Sequence, residues 1–187
     1  MSGRVIIMTE EESMEQALLQ LLPNCFPEFR ENEHWIIISH RGKSDLESSY
    51  PKKMKQWGEP GARFLILRDN DGADCKSLKQ KLIDRVPAHP PIYLIRIVCQ
   101  ELESWLLGDL EALDLAYPGA ARKEQFKTIA KRDPDQLTNA SELVRQLTGT
   151  NSKIVRAAEI AKGIRAESNC STSFQIFLSG FSRLLAG

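Results

Sequence analysis

The chain has 187 residues, which is enough for one domain with a sizeable hydrophobic core. Its 25 basic and 25 acidic side chains cancel to a formal net charge of zero, which excludes long-range attraction of the whole molecule to nucleic acid or membrane. No apolar run approaches the roughly 20 residues of a membrane-spanning helix. Four widely spaced cysteines without a C-x-x-C pair favour a cytoplasmic protein with reduced, mostly buried thiols.

Four short apolar segments in the first half of the chain predict β-strands, at residues 5–8, 35–38, 64–67 and 92–98. Between them, helical patterns cover residues 9–22, 51–57 and 74–86. We expect Thr9 to open the first of these helices as a capping box with Glu12, Pro23 to stop it, and Pro51 to begin the second. Strands that alternate with helices favour a mostly parallel four-stranded sheet flanked by helices.

The second half of the chain predicts helices only, at residues 110–116, 123–130, 141–147, 153–164 and 174–185. Asn139 and Asn151 stand where the N-caps of two of these helices are expected. The sequence therefore predicts an α/β core at residues 1–108 and a helical extension at residues 109–187, packed on that core as a single compact unit.

Acidic residues follow three of the four predicted strands. Parallel strands end at one edge of a sheet, and ligands bind beyond that edge in open α/β folds. Carboxylates repel each other unless a cation lies between them, and Mg²⁺ prefers such oxygen ligands. The alternative is a polar strand-to-helix loop with Asp74 as N-cap and solvated neighbours. Convergence on one edge favours a metal site, and the residues concerned are Glu10, Asp69, Asp71, Glu101 and Glu103.

The segment after the second strand offers a glycine, cations and a small hydroxyl, so it could bind a phosphate. It lacks the spacing of a Walker A loop, and a surface loop with salt bridges explains it equally well. Two further cations stand near predicted element ends. The candidate phosphate-binding residues are His40, Arg41, Lys43, Ser44, Arg96 and Lys153.

Several motifs together resemble those of a bacterial, uncharacterised domain-of-unknown-function family of small Toprim-like proteins. The resemblance covers almost the whole chain and rests on residues 9–15, 42–46, 68–71, 74–75, 96–105 and 169–174. It implies a Toprim-type α/β core, shared with topoisomerases, primases and the nuclease domain of overcoming-lysogenisation-defect (OLD) proteins. Members of such families often lie beside genes for an ABC-type ATPase, in settings that suggest phage defence.

The resemblance also implies roles for individual residues. Glu10, Asp69 and Asp71 correspond to the Toprim ligands of Mg²⁺ or Mn²⁺, and Glu101 or Glu103 corresponds to the acidic residue that helps to hold a second metal in OLD-type nucleases. This sequence departs from the family pattern at Glu11, where glycine is usual, and at Met14, where OLD-type proteins have an acidic ligand.

We therefore expect a Mg²⁺-dependent nuclease or nuclease subunit that acts on nucleic-acid phosphodiesters, with Lys43 stabilising the charge on the phosphate. Two alternatives remain open at this point. One is a non-catalytic regulatory or binding subunit of an ATPase complex, and the other is a nucleotide-binding or phosphotransfer protein. The sequence leaves open DNA versus RNA and the oligomeric state.

Overall fold

A computed structural model describes residues 3–187, so residues 1 and 2 of the predicted α/β core lie outside the described residues. Four parallel strands form one sheet in the order β2-β1-β3-β4, with β1 at Val5–Thr9, β2 at Trp35–Ser39, β3 at Arg63–Asp69 and β4 at Tyr93–Val98. The predicted fold class, a four-stranded parallel sheet flanked by helices and followed by a helical second half, is confirmed.

Three helices connect the strands, and the rest of the chain is helical. The crossover helices are α1 (Glu12–Cys25), α2 (Lys43–Gln56) and α3 (Cys75–Ile83). After β4 come α4 (Leu102–Leu107), α5 (Leu110–Ala116), α6 (Glu124–Ile129), α7 (Ala140–Thr148), α8 (Lys153–Ala161) and α9 (Thr172–Ala186), with 3₁₀ turns at Ala120–Arg122 and Pro134–Gln136. Of these six helices, α4 is the one that the sequence pattern did not predict.

The two faces of the sheet have separate hydrophobic cores, because side chains alternate along each strand. Ile6 and Met8 of β1 face α2 and α3, whereas Val5 and Ile7 face α1 and the helices after β4. On that second face, α9 brings the ring centroid of Phe181 to 5.7 Å from the ring centroid of Trp35. Side chains from both halves of the chain thus share one core, and the domain boundary at residue 108 stays a prediction.

Two predicted helix boundaries were wrong, because Pro23 does not stop α1 and Pro51 does not begin α2. α1 continues through Pro23, and α2 begins at Lys43 with Pro51 in its interior. Proline removes one backbone hydrogen bond from a helix. In α2 the apolar stripe of Leu46, Tyr50 and Met54, spaced four residues apart and buried, stabilises the helix across that position.

The predicted capping residues also differ from those observed. Thr9 is still in β1 and Glu11 is the N-cap of α1, without a side-chain cap bond. At α8 the cap is Ser152, which accepts a hydrogen bond from the Val155 N–H, rather than Asn151. The expectation of mostly buried cysteines was wrong as well, since three of the four thiols are half-buried and Cys170 is exposed. Within residues 3–187, no helix is long and apolar enough to cross a bilayer.

Candidate active site at the carboxyl edge of the sheet

The two central strands, β1 and β3, bring the first predicted ligands together. Because Thr9 pairs with Leu67 in parallel register, Glu10 and Asp69 leave the same edge of the sheet. The Glu10 carboxylate lies close enough to Asp69 to raise the pKa of the Asp69 carboxyl group. Both strands are fully buried, so the position of these carboxyl groups is set by the core of the fold.

Asp69 has the most unusual environment of the acidic side chains at this edge. Its side chain is buried, and the Oδ1 atom has no hydrogen-bond partner. Burial raises the pKa of Asp69 well above its usual range, and the nearby carboxylates of Glu10, Glu11 and Glu103 raise it further against the opposing charge of Lys153. A buried carboxyl oxygen without a partner is costly, so this position favours a proton or a bound cation.

Asp71 lies on the exposed turn after β3. Its backbone has a φ of 49°, in the left-handed region, and Gly72 continues the turn with a φ of 78°. The Asp71 Oδ2 atom is 3.3 Å from the Lys43 Nζ atom and 3.1 Å from the Arg68 Nη1 atom. The turn therefore directs the Asp71 carboxylate back toward the edge of the sheet.

Arg68 occupies the space between Glu10 and Asp71. Its Nη1 atom is 3.0 Å from the Glu10 Oε2 atom as well as 3.1 Å from Asp71, and its side chain is 6% exposed. Burial raises the pKa of Glu10, while the charge of Arg68 opposes that rise. The guanidinium is thus a counter-ion built into the carboxylate cluster.

Lys153 is the second built-in cation. It donates a hydrogen bond to Glu11 Oε1, and its Nζ atom is 3.7 Å from the Oε2 atom of Glu103. Burial alone would lower the pKa of Lys153, but the carboxylates of Glu103, Glu11 and Asp69 outweigh burial and raise it. Lys153 therefore stays charged and joins α8 to the edge of the sheet.

Glu103 and Glu101 have different positions although only one residue separates them. Glu103 is fully buried, and its Oε1 atom accepts hydrogen bonds from Arg156 at 3.3 Å and from the Ser141 hydroxyl at 3.1 Å. Glu101 instead accepts from the backbone N–H of Ser141 at 2.9 Å. Asn139 is the N-cap residue of α7 as predicted, but its side chain makes no cap bond, and Glu101 supplies that bond instead. Glu103 belongs to the cluster around Asp69, whereas the Glu101 contact is structural.

The carboxylates surround protein cations rather than a ready set of metal ligands. Among residues 3–187, no three His, Cys, Asp or Glu side chains are arranged so that they could hold a metal ion as they stand. The cause is visible in the contacts above, because Arg68 separates Glu10 from Asp71 and Lys153 lies among the others. The donor atoms themselves are hard oxygens of the kind that Mg²⁺ prefers.

The model of a family described as a domain of unknown function (DUF4276) matches residues 9–182, almost the whole chain. The chain belongs to this family. No curated protein matches the DUF4276 chain.

Solved structures show the same fold as this DUF4276 chain. The C-terminal region of the Burkholderia pseudomallei OLD protein has a TM-score of 0.60 at 13% identity, over 99% of this chain and 100% of that one. Two structures of the C-terminal region of the Xanthomonas campestris pv. campestris OLD protein each have a TM-score of 0.54. Their identities are 15% and 16%, over 98% of this chain and 96% and 97% of those. The DUF4276 chain therefore has the Toprim-like fold of OLD C-terminal regions.

The predicted phosphate-binding segment lies beside the acidic cluster. Lys43 is exposed and contacts Asp71, and Ser44 is exposed in the first turn of α2. Arg41 donates its backbone N–H to Asp45 at 3.0 Å. His40 is buried, with Nδ1 2.8 Å from the Thr9 carbonyl oxygen, so its ring supports the end of β1. In this segment of the DUF4276 chain, Lys43 is the cation best placed to contact a ligand at the cluster.

Arg96 is not brought to the cluster. It is buried under α9, where its Nε atom donates to the Ile176 carbonyl oxygen at 3.2 Å and its guanidinium packs against Gly180. We therefore remove Arg96 from the candidate phosphate-binding residues of the DUF4276 chain. The sequence analysis did not identify Arg68 or Arg156 as site residues. For Arg68 the signal in the sequence was its position directly before the D-x-D motif.

Proposed function

We propose that this protein is a nuclease, or the nuclease subunit of a complex, that cleaves nucleic-acid phosphodiesters with Mg²⁺ or Mn²⁺. The observation that carries the proposal is the buried Asp69 carboxyl group with an unpartnered oxygen, surrounded by Glu10, Glu11 and Glu103. The Toprim-like fold that the chain shares with OLD C-terminal regions supports it, as does the family resemblance of the sequence motifs.

The acidic residues fit a divalent cation by their chemistry. Glu10, Asp69 and Asp71 are the residues that would hold it, with Glu103 as the candidate fourth ligand. When bound, such a cation polarises a phosphoryl oxygen and lowers the pKa of a bound water toward neutrality. Asp69 is suited to this role, because a nearby positive charge favours the ionised form of a carboxyl group whose pKa burial has raised.

The cations of the chain have separate roles in this proposal. Lys43 is exposed at the rim, 3.3 Å from Asp71, where it would contact a phosphate oxygen and stabilise the charge that develops there. Arg68 is buried between Glu10 and Asp71 and would orient both carboxylates. Lys153 offsets the charge of Glu11 and Glu103.

Cleavage of supercoiled plasmid and of single-stranded DNA and RNA tests the proposal, with Mg²⁺ or Mn²⁺ and with EDTA. We expect metal-dependent cleavage by the parent protein and its loss in the Asp69→Ala/Asp71→Ala double variant. Asp74→Ala is the matched control, since Asp74 lies in the same loop but only caps α3 through the Ser77 N–H. Cleavage by the double variant at the rate of the parent would refute the assignment.

One observation favours a second candidate function, a non-catalytic subunit that binds an ABC-type ATPase. Arg68 and Lys153 already balance part of the acidic charge without a metal. In that case the protein alone would cleave nothing, its melting temperature would not respond to Mg²⁺ or Mn²⁺, and it would co-purify with the ATPase. A metal-induced rise in melting temperature that Asp69→Ala/Asp71→Ala abolishes would exclude this candidate.

A further inference from the structure

Two cysteines lie face to face beside the acidic loop. Cys75 is the first residue of α3 and Cys99 directly follows β4, and their Sγ atoms are 3.7 Å apart. Both thiols are half-buried. A disulfide bond has an S–S distance of about 2.05 Å, so the two sulfurs need to approach each other by roughly 1.7 Å to form one.

The backbone on either side of this pair is already joined by hydrogen bonds. The Asn70 N–H donates to the Val98 carbonyl oxygen at 3.0 Å, and the Asp71 N–H donates to that of Gln100 at 3.1 Å. The Gln100 N–H donates in turn to the Asn70 Oδ1 atom at 2.5 Å. These bonds keep the residues that carry the two sulfurs in one relative position.

Both loops also hold a non-glycine residue in the left-handed region, with φ values of 49° at Asp71 and 63° at Gln100. Such conformations cost energy and persist only where the surroundings impose them. The loop of residues 70–74 is therefore held by contacts with the turn after β4, and a covalent bond between the two would strengthen that hold.

We propose that Cys75 and Cys99 form a reversible disulfide bond that fixes the acidic loop, residues 70–74, to the turn after β4. This inference does not depend on the proposed nuclease activity. We assign Cys75 as the thiol that reacts first; it lies at the N-terminus of α3, and its sulfur accepts a hydrogen bond from the Asn70 side-chain amide at 3.2 Å.

The reaction balances with hydrogen peroxide as the oxidant. The Cys75 thiolate attacks one peroxide oxygen, the O–O bond breaks, and the sulfur becomes a sulfenic acid with release of hydroxide. The Cys99 sulfur then attacks the sulfenic sulfur, the S–S bond forms, and the hydroxyl group leaves as water with the Cys99 proton. In total, two thiols and one peroxide give one disulfide and two waters, and a dithiol reductant reverses the change.

The test treats the full chain with hydrogen peroxide, counts thiols after denaturation and maps linked peptides by mass spectrometry. We expect the four thiols to fall to two, with Cys75 joined to Cys99, and dithiothreitol to restore all four. Cys25→Ser/Cys170→Ser is the matched control and should form the same link. Cys99→Ser should leave Cys75 as a sulfenic acid that dimedone traps.

Two further measurements address the loop itself. Closing a ring between residues 75 and 99 should raise the melting temperature of the oxidised protein by roughly 5–15 °C. It should also slow amide hydrogen exchange in residues 70–74, and both changes should be absent in Cys99→Ser. Absence of a peptide that links Cys75 to Cys99 would overturn the proposal, and so would a link that leaves exchange in the loop unchanged. Neither measurement involves metal or nucleic acid, so failure of the nuclease proposal is detected separately.

Discussion

Replacement of Asp69 by asparagine gives the sharpest test of the electrostatics at the edge of the sheet. In metal-free protein at pH 8, we expect Asp69→Asn to be more stable than the parent. The variant keeps the shape of the side chain but removes the buried charge and its repulsion with Glu10, Glu11 and Glu103. Because an ionised group without a partner costs more to bury than a neutral amide, we expect a gain of about 1–3 kcal/mol in the free energy of unfolding.

The effect should depend on pH in a defined direction. The pKa of Asp69 is raised in the folded protein, so folding favours its protonated form. The stability that the parent draws from this proton is fully present below the unfolded-state pKa of about 3.9 and is lost as the pH rises through the folded-state pKa. Asp69→Asn should therefore gain on the parent as the pH rises, by about 1.4 kcal/mol for each unit by which the pKa is raised.

Thermal unfolding in EDTA between pH 5 and pH 8 measures this difference. For a chain of this size, 1 kcal/mol corresponds to about 2–4 °C in melting temperature. Asp74→Asn is the matched control with the opposite sign. The Ser77 N–H lowers the pKa of the exposed Asp74 carboxyl group, so loss of the Asp74 carboxylate should slightly destabilise α3. A variant Asp69→Asn that is less stable than the parent in EDTA at pH 8, or a difference that does not vary with pH, would refute the reasoning.

Three further predictions concern cation binding, Lys43 and Arg156. A divalent cation at 100 times its dissociation constant should stabilise the parent by about 2.7 kcal/mol in thermal unfolding, and Asp69→Asn should abolish that gain. Lys43→Ala should lower the cleavage rate by about 100-fold while changing stability by less than about 1 kcal/mol in urea unfolding, because its ion pair with Asp71 is exposed. Arg156→Met should destabilise the protein by about 3–5 kcal/mol, because it leaves the buried Glu103 carboxylate with one fewer partner. Glu103→Gln combined with Arg156→Met should recover part of that loss, and equal stability of the single and double variants would contradict it.

The strands and the meeting of Glu10 with Asp69 could be predicted from the sequence, because both follow from local rules. Apolar runs of a few residues predict strands, and parallel strands share a carboxyl edge. The position of Lys153 could not be predicted in this way. It lies 142 residues from its partner Glu11, and only the packing of α8 against α1 brings the two together.

Local patterns also failed where tertiary contacts decide. Glu101 and Glu103 look equivalent in the sequence, but Glu101 is the extended N-cap residue before α4 and Glu103 lies in the first turn of that helix. One therefore caps α7 and the other is buried at the cluster. Pro51 predicted a helix start, and the burial of Leu46 and Tyr50 overrode that local preference.

The last helix has a consequence for how the protein is made. On the ribosome, the sheet is complete once Val98 has been synthesised, but α9, whose Phe177 and Phe181 fill the core beside Trp35 and Trp105, is synthesised only from Thr172 onward. Until then, one apolar face of the sheet lacks much of its cover. We expect nascent or truncated chains that end before residue 172 to bind chaperones or aggregate, so that synthesis of α9, rather than completion of the strands, sets the moment at which this fold becomes native.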